Sequence, residues 1–215
     1  ALDGGFGRIK AGRTLSPSFF GVTTWELTGA ANFSAVGNQF GFAGAGSRNS
    51  SEFSYSTPKM GGLSATLGYV TELDLAVAPN QNVSKVDANV IYAAGPLAAA
   101  LSDNKLSNAS DGNYALGANY NFGAFIVAAS YQDPAGQQQG WTLGASLPMG
   151  PWKFTVDVAQ DTGFDDTNFL AYAGYSLSKR TTVYGAYHDD GKSGTDVKNK
   201  AVGSKTYGVS ILHNY

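Results

Sequence analysis

The chain has 215 residues, enough for one large β domain or two small ones, and only 14% of them are charged. Its formal charge of −2 calls for no polyanionic partner, so nucleic acid is not expected. Without cysteine there is no disulfide framework or thiolate metal site, and His188 and His213 are too far apart to suggest a histidine site, so no cofactor is expected.

No apolar run approaches the roughly 18–20 residues of a membrane-spanning helix. Spanning β-strands need no such run, because only alternate residues face lipid.

In chain order, a turn at Gly4-Gly5 precedes a strand candidate at Phe6–Arg13, with Ile9 and Ala11 on one face and Arg8 and Lys10 on the other. Gly7 to Thr14 nearly fits a phosphate-loop pattern, but Arg13 replaces its lysine and no helix signal follows, so no phosphate role is expected. Thr14–Ser47 is rich in Gly, Ser, Ala and Phe, holds the single acid Glu26, and lacks strand alternation. A loop this long inside a compact domain is expected to be functional.

From Arg48 the period becomes regular. Strands are predicted at Glu52–Pro58, Leu63–Val70, Lys85–Ala93, Leu97–Asn104, Asn113–Phe122 and Phe125–Gln132. Further strands follow at Trp141–Leu147, Trp152–Gln160, Asn168–Leu177, Thr181–His188 and Ser204–Tyr215. One parity is branched or aromatic, the other small or polar. In Trp152–Gln160, for example, Trp152, Phe154, Val156 and Val158 oppose Lys153, Thr155 and Asp157.

The connections alternate as well. Gly-, Pro- and Ser-bearing short turns, such as Ala94-Gly95-Pro96 and Met149-Gly150-Pro151, exchange with long polar loops such as Thr71–Ser84 and Asp189–Gly203. The pattern predicts an all-β, antiparallel transmembrane barrel with twelve strands in this chain. A soluble sandwich also alternates, but it would not sort its loops by length at its two ends. Asp189-Asp190-Gly191 could suggest calcium, but in a long outer loop it reads as a solvated turn.

Several stretches resemble the general porins of Gram-negative outer membranes, in particular the betaproteobacterial subgroup. They are Gly-Phe-Gly-Arg-Ile-Lys-Ala-Gly-Arg at 5–13, Tyr-Ser-Thr-Pro-Lys-Met-Gly-Gly-Leu at 55–63 and Gly-Ala-Asn-Tyr-Asn-Phe-Gly at 117–123. Tyr-Ser-Leu-Ser-Lys-Arg-Thr-Thr-Val-Tyr-Gly at 175–185 and the closing His213-Asn-Tyr215 complete the set, with Tyr where the subgroup ends in Phe. The resemblance implies a sixteen-stranded barrel of which this chain holds the fifth to the last strand. It also implies that residues 14–47 are the loop that folds inward and narrows the pore.

On the same resemblance, Arg48 falls on a constriction arginine of anion-preferring members, and Glu26 on the loop acid that faces a basic wall. Lys10 has lumen parity. Strict parity points Arg13 at lipid, where an arginine costs roughly 2–4 kcal/mol, so a bulge turning it inward is expected. Asp87, Lys153 and Asp157 are expected to set only the general field. The implied protein is a passive, anion-preferring pore for small hydrophilic solutes, homotrimeric, set among outer-membrane lipid and lipopolysaccharide, and not an enzyme. The rival readings are an outer-membrane barrel enzyme, for which His188 is the candidate base, an adhesin, and a soluble β-sandwich.

Overall fold

A computed structural model describes residues 1–29, 34–71, 83–191 and 205–213. Its strands are β1 (Leu2–Gly4), β2 (Gly7–Leu15), β3 (Arg48–Ser56), β4 (Leu63–Val70), β5 (Lys85–Ala94), β6 (Leu97–Leu106) and β7 (Asn113–Asn121). They continue with β8 (Ile126–Asp133), β9 (Gly140–Met149), β10 (Trp152–Asp161), β11 (Asp166–Ser176), β12 (Thr181–Asp189) and β13 (Lys205–His213). Two helices, α1 (Pro17–Trp25) and α2 (Ala35–Gln39), lie between β2 and β3. Glu72 and Asp74 of the long Thr71–Ser84 connection, and the terminal Asn214-Tyr215, lie outside the described residues.

The strands form one antiparallel sheet in sequence order. Thirteen strands replace the expected twelve. The addition is β1, which pairs Leu2 with Ile9 and Asp3 with Arg8 across the turn at Gly5-Phe6. It is too short for its alternation to be read from sequence. β1 and β13 are the two edges of the described sheet and do not pair with each other.

The faces follow the predicted parity. On β9 and β10, Thr142, Ser146, Thr155 and Asp157 are buried, while Leu143, Leu147, Phe154 and Val156 are exposed. Thr155 Oγ1 and Ser146 Oγ meet at 3.0 Å across the pair on the polar face. A one-residue slip would exchange the two sets, so the register is strongly specified. Exposed aromatics gather near both strand ends of the apolar face: Trp152 against Tyr175 (4.8 Å) and Phe122 against Phe125 (4.9 Å) by the short turns, Tyr114 against Tyr131 (6.1 Å) by the long loops. Two such girdles flanking an apolar band are what a strand crossing lipid requires.

The segment between β2 and β3 is the reverse of structureless. Ser16 caps α1, its Oγ accepting from the Phe19 amide at 3.1 Å, and Pro17 follows at the first helical position. Ser34 caps α2 in the same way, accepting from Gly37 N at 3.1 Å. Gly7–Thr14, the near phosphate loop, lies entirely within strand β2, so its backbone forms a ladder rather than an anion cradle.

Both helices pack on the polar face of the sheet, called here the inner face. α1 buries Val22 and Trp25 with Ala100 and Ala115, and α2 brings Ala35 and the following Phe40 onto Ala159 and Leu170. Trp25 requires Gly117 beneath it: a β-carbon there would lie 2.5 Å from the ring's Cε2 and 2.7 Å from Ser130 Cβ. The core of this molecule therefore lies between the inserted segment and the inner wall. The other face of the sheet stays apolar and open.

Candidate functional site

The inserted segment is held by buried polar side chains from the wall. Asp87 on β5 is fully buried, and its Oδ1 accepts from Ser18 N (2.9 Å) and Ser18 Oγ (2.7 Å) at the start of α1. Its Oδ2 lies 3.7 Å from Lys85 Nζ, which in turn donates to the Ala45 carbonyl at 3.1 Å. Asn89 Nδ2 donates to the Pro17 carbonyl at 2.7 Å, and Asn104 Nδ2 to Ser18 Oγ and the Ala43 carbonyl at 3.2 and 3.0 Å. These partners sit at alternate positions on neighbouring strands, so period-2 geometry aims them all inward.

The return of the segment makes a left-handed turn, with φ of 55°, 56°, 55° and 71° at Gly41, Phe42, Ala43 and Gly44. Phe42 and Ala43 are strained there, at roughly 1–3 kcal/mol each. The wall's donors to Ala43 and Ala45, and Ser16 Oγ to the Gly46 carbonyl at 2.8 Å, hold the turn in place. A cavity of about 390 Å³ lies against it, lined by Gly37, Asn38, Phe42 and Ser47 among others.

Of the four residues singled out in the sequence, Lys10 is on the inner face. Its ammonium lies 5.0 Å from the centre of the Phe20 ring on α1 and donates to Thr14 Oγ1 at 3.3 Å. Glu26 sits at the end of α1, close to Lys153 of the wall. It is buried just after α1, and its Oε1 accepts from Thr28 N and Ser34 Oγ, both at 2.9 Å, and from the Thr28 hydroxyl. The carboxylate ties the end of α1 to the cap of α2.

A bulge is present, but it belongs to β3, where Ser50 and Ser51 together oppose Arg13. Ser51 takes a φ of 55°, which brings Asn49 and Glu52 to one buried face, joined by Asn49 Nδ2 to Glu52 Oε2 at 2.7 Å. Arg13 keeps the parity of Ile9 and Ala11, is exposed, and donates to Ser50 Oγ at 3.1 Å. Arg48 opposes Leu15 and is likewise exposed; alternation from the buried Asn49 sets it on the same outward parity. The inner face thus gathers Lys10 but not Arg13 or Arg48.

Lys153 does more than contribute to the general field. It is half-exposed on the inner face of β10, and its Nζ donates to the Leu27 carbonyl at 2.6 Å, next to Glu26, and lies 5.9 Å from the Tyr172 ring. Its lumen parity was legible, but its partner is 126 residues away.

The inner carboxylates are buried, and so is Lys85, the partner of Asp87. Asp87, Glu52, Asp157, Asp161, Asp166 and Glu26 are all at most 7% exposed. Lys10 and Lys153 remain half-exposed, and the exposed Arg8 is paired with Asp3. Among the described residues, no three His, Asp or Glu side chains come together as a metal site.

The sequence profile of Gram-negative porins matches residues 1–195. The chain belongs to the Gram-negative porin family. Outer membrane porin protein 32 of Delftia acidovorans is 30% identical over 211 residues, which cover 86% of this chain. The porin described here spans 60% of that relative's length. The anion-selective porin of Comamonas acidovorans is 27% identical and superimposes with a TM-score of 0.72 over 98% of this chain and 75% of its own. OmpF of Salmonella typhi, at 15% identity, shares the fold with a TM-score of 0.76 over 97% of this chain and 74% of its own.

The porin is accordingly a bacterial outer-membrane β-barrel protein, and its open apolar face is the one that meets lipid. Val156, near the middle of β10 and exposed on that face, gives a direct check. Val156→Lys is expected to lower folding stability by about 2–4 kcal/mol, the depth-dependent cost of a lysine at the membrane midplane. Urea titration of refolding into phospholipid vesicles measures it. An unchanged midpoint and slope would move Val156 off the lipid face.

Proposed function

We propose that this porin is a passive diffusion pore for small hydrophilic solutes and ions across the outer membrane, with a preference for anions, and that residues 14–47 form its narrowing. The observation that carries the reading is the packing of α1 and α2 on the polar face of a membrane sheet. A segment of this length, with two capped helices and a strained turn, is held where it reduces the cross-section of a lumen. Transport follows the concentration gradient. Selection is by size and by the charges left accessible, Lys10 and Lys153.

In this reading Glu26 shapes the inserted segment rather than facing the permeating ion. Arg13 and Arg48 add positive potential from the loop-end rim of β2 and β3. The assembly is a homotrimer embedded in lipid and lipopolysaccharide. The rival of a barrel enzyme draws no support from His188, which is fully buried 2.6 Å from Asp190.

Adding the purified protein in detergent to a planar bilayer tests the reading. Stepwise ohmic current increments are expected. A protein that inserts into membranes but yields no steps contradicts it.

A further inference from the structure

The side of α1 turned away from the wall is not polar. Pro17, Ser18, Gly21, Val22 and Trp25 are buried. The opposite side offers Phe20, 37% exposed, with half-buried Phe19 and half-exposed Thr23 and Thr24. Phe19 packs edge-on to Phe20, with centroids 5.8 Å apart and planes at 79°, and against Phe42 at 4.9 Å. Phe42 is held at a positive φ of 56°, a conformation that a bulky residue adopts only when the surrounding structure over-determines it. Three phenyl rings thus form one cluster at the surface of a segment otherwise anchored by Ser, Asn, Asp and Lys.

A cation stands over this cluster. Lys10 Nζ is 5.0 Å from the Phe20 centroid. Of its three donors, one is engaged, in a long contact of 3.3 Å to Thr14 Oγ1. A part-exposed ring beside a half-exposed ammonium is complementary to a solute with an aromatic ring and an anionic group about one ring-width apart. The ring continues the herringbone of Phe19 and Phe20, where edge and face of opposite quadrupole meet. The anionic group pairs with Lys10, and an aromatic cation is repelled by it. We propose that Phe19, Phe20, Phe42 and Lys10 form a binding subsite for aromatic carboxylates on the pore-facing side of α1. The inference rests on the pore reading given above and names a solute class for it.

Chloride current through single channels, titrated with benzoate, cyclohexanecarboxylate and benzyl alcohol, is the test. Benzoate is expected to reduce the current at lower concentration than cyclohexanecarboxylate, which has the same charge but no π-face, and than benzyl alcohol, which has the ring but no charge. In Phe20→Ala the benzoate block is expected to weaken about fivefold, the order of one aromatic contact. In Lys10→Gln it weakens while the residual preference for the ring remains. Channels that benzoate and cyclohexanecarboxylate block alike, or a benzoate block unchanged in Phe20→Ala, overturn this inference alone. A preparation that conducts no ions overturns the pore reading, and the subsite with it.

Discussion

Asp87→Ala is expected to release the inserted segment from the wall and raise single-channel conductance, with added current noise. Asp87 is the joint at which β5 meets the start of α1: one oxygen takes both donors of Ser18 and the other faces Lys85. The pair is nearly solvent-free, with side-chain exposures of 4% for Lys85 and 0% for Asp87. Removing one partner of a buried ion pair costs about 3–5 kcal/mol, because the other charge is left buried without compensation. The strands need not share that cost, since their ladders do not pass through Asp87's side chain. The least expensive relief is for the helix to lift and let water reach Lys85. Asp87→Asn keeps an acceptor for Ser18 but removes the charge, and should fall between wild type and alanine. Equal conductance and noise in all three proteins would remove Asp87 as the anchor.

The second large effect concerns charge. Lys10→Glu combined with Lys153→Glu is expected to turn an anion-preferring channel into a cation-preferring one, read as a change in the sign of the reversal potential under a KCl gradient. The formal charge of −2 is no guide, because the inner carboxylates are buried and others are in the long loops. Two unit charges 4 Å apart interact by roughly 4 kcal/mol at an effective dielectric of 20, so one or two accessible charges at a narrowing decide the sign. The preference should weaken in molar salt, where the screening length falls to about 3 Å. Arg48→Ala is expected to change the reversal potential less than Lys10→Gln, because Arg48 has outward parity. The reverse order would return Arg48 to the constriction.

Much of the wall was legible because a strand with two different solvents on its two faces writes a period of two. Val156 and Thr155 could be assigned to opposite faces without knowing any contact. β1 escaped because three residues carry too little alternation. The bulge escaped because it depends on Ser51 adopting a positive φ, which a serine does not advertise as a glycine does. That one residue shifts the parity of Arg48 relative to Glu52.

The helices of the inserted segment do carry a sequence signal: Ser16-Pro17 is an N-cap followed by proline at the first helical position. Their amphipathicity was masked because the surface they pack on is itself polar, so buried α1 positions include Ser18 as well as Val22 and Trp25. Glu26 is legible as the segment's lone acid, but its hydrogen bonds to Thr28 and Ser34, which tie α1 to α2, are not. Lys153 and Leu27 meet only through the fold.

The central claim, that α1 borders the conducting path, has a direct measurement because the chain contains no cysteine. Thr23→Cys introduces a single thiol on the side of α1 turned away from the wall. A bulky, charged methanethiosulfonate reagent is expected to cut its single-channel conductance in discrete steps, while the same reagent leaves Val156→Cys, on the lipid face, unchanged. A Thr23→Cys channel that reacts fully with the reagent and still conducts at its original level would contradict the account.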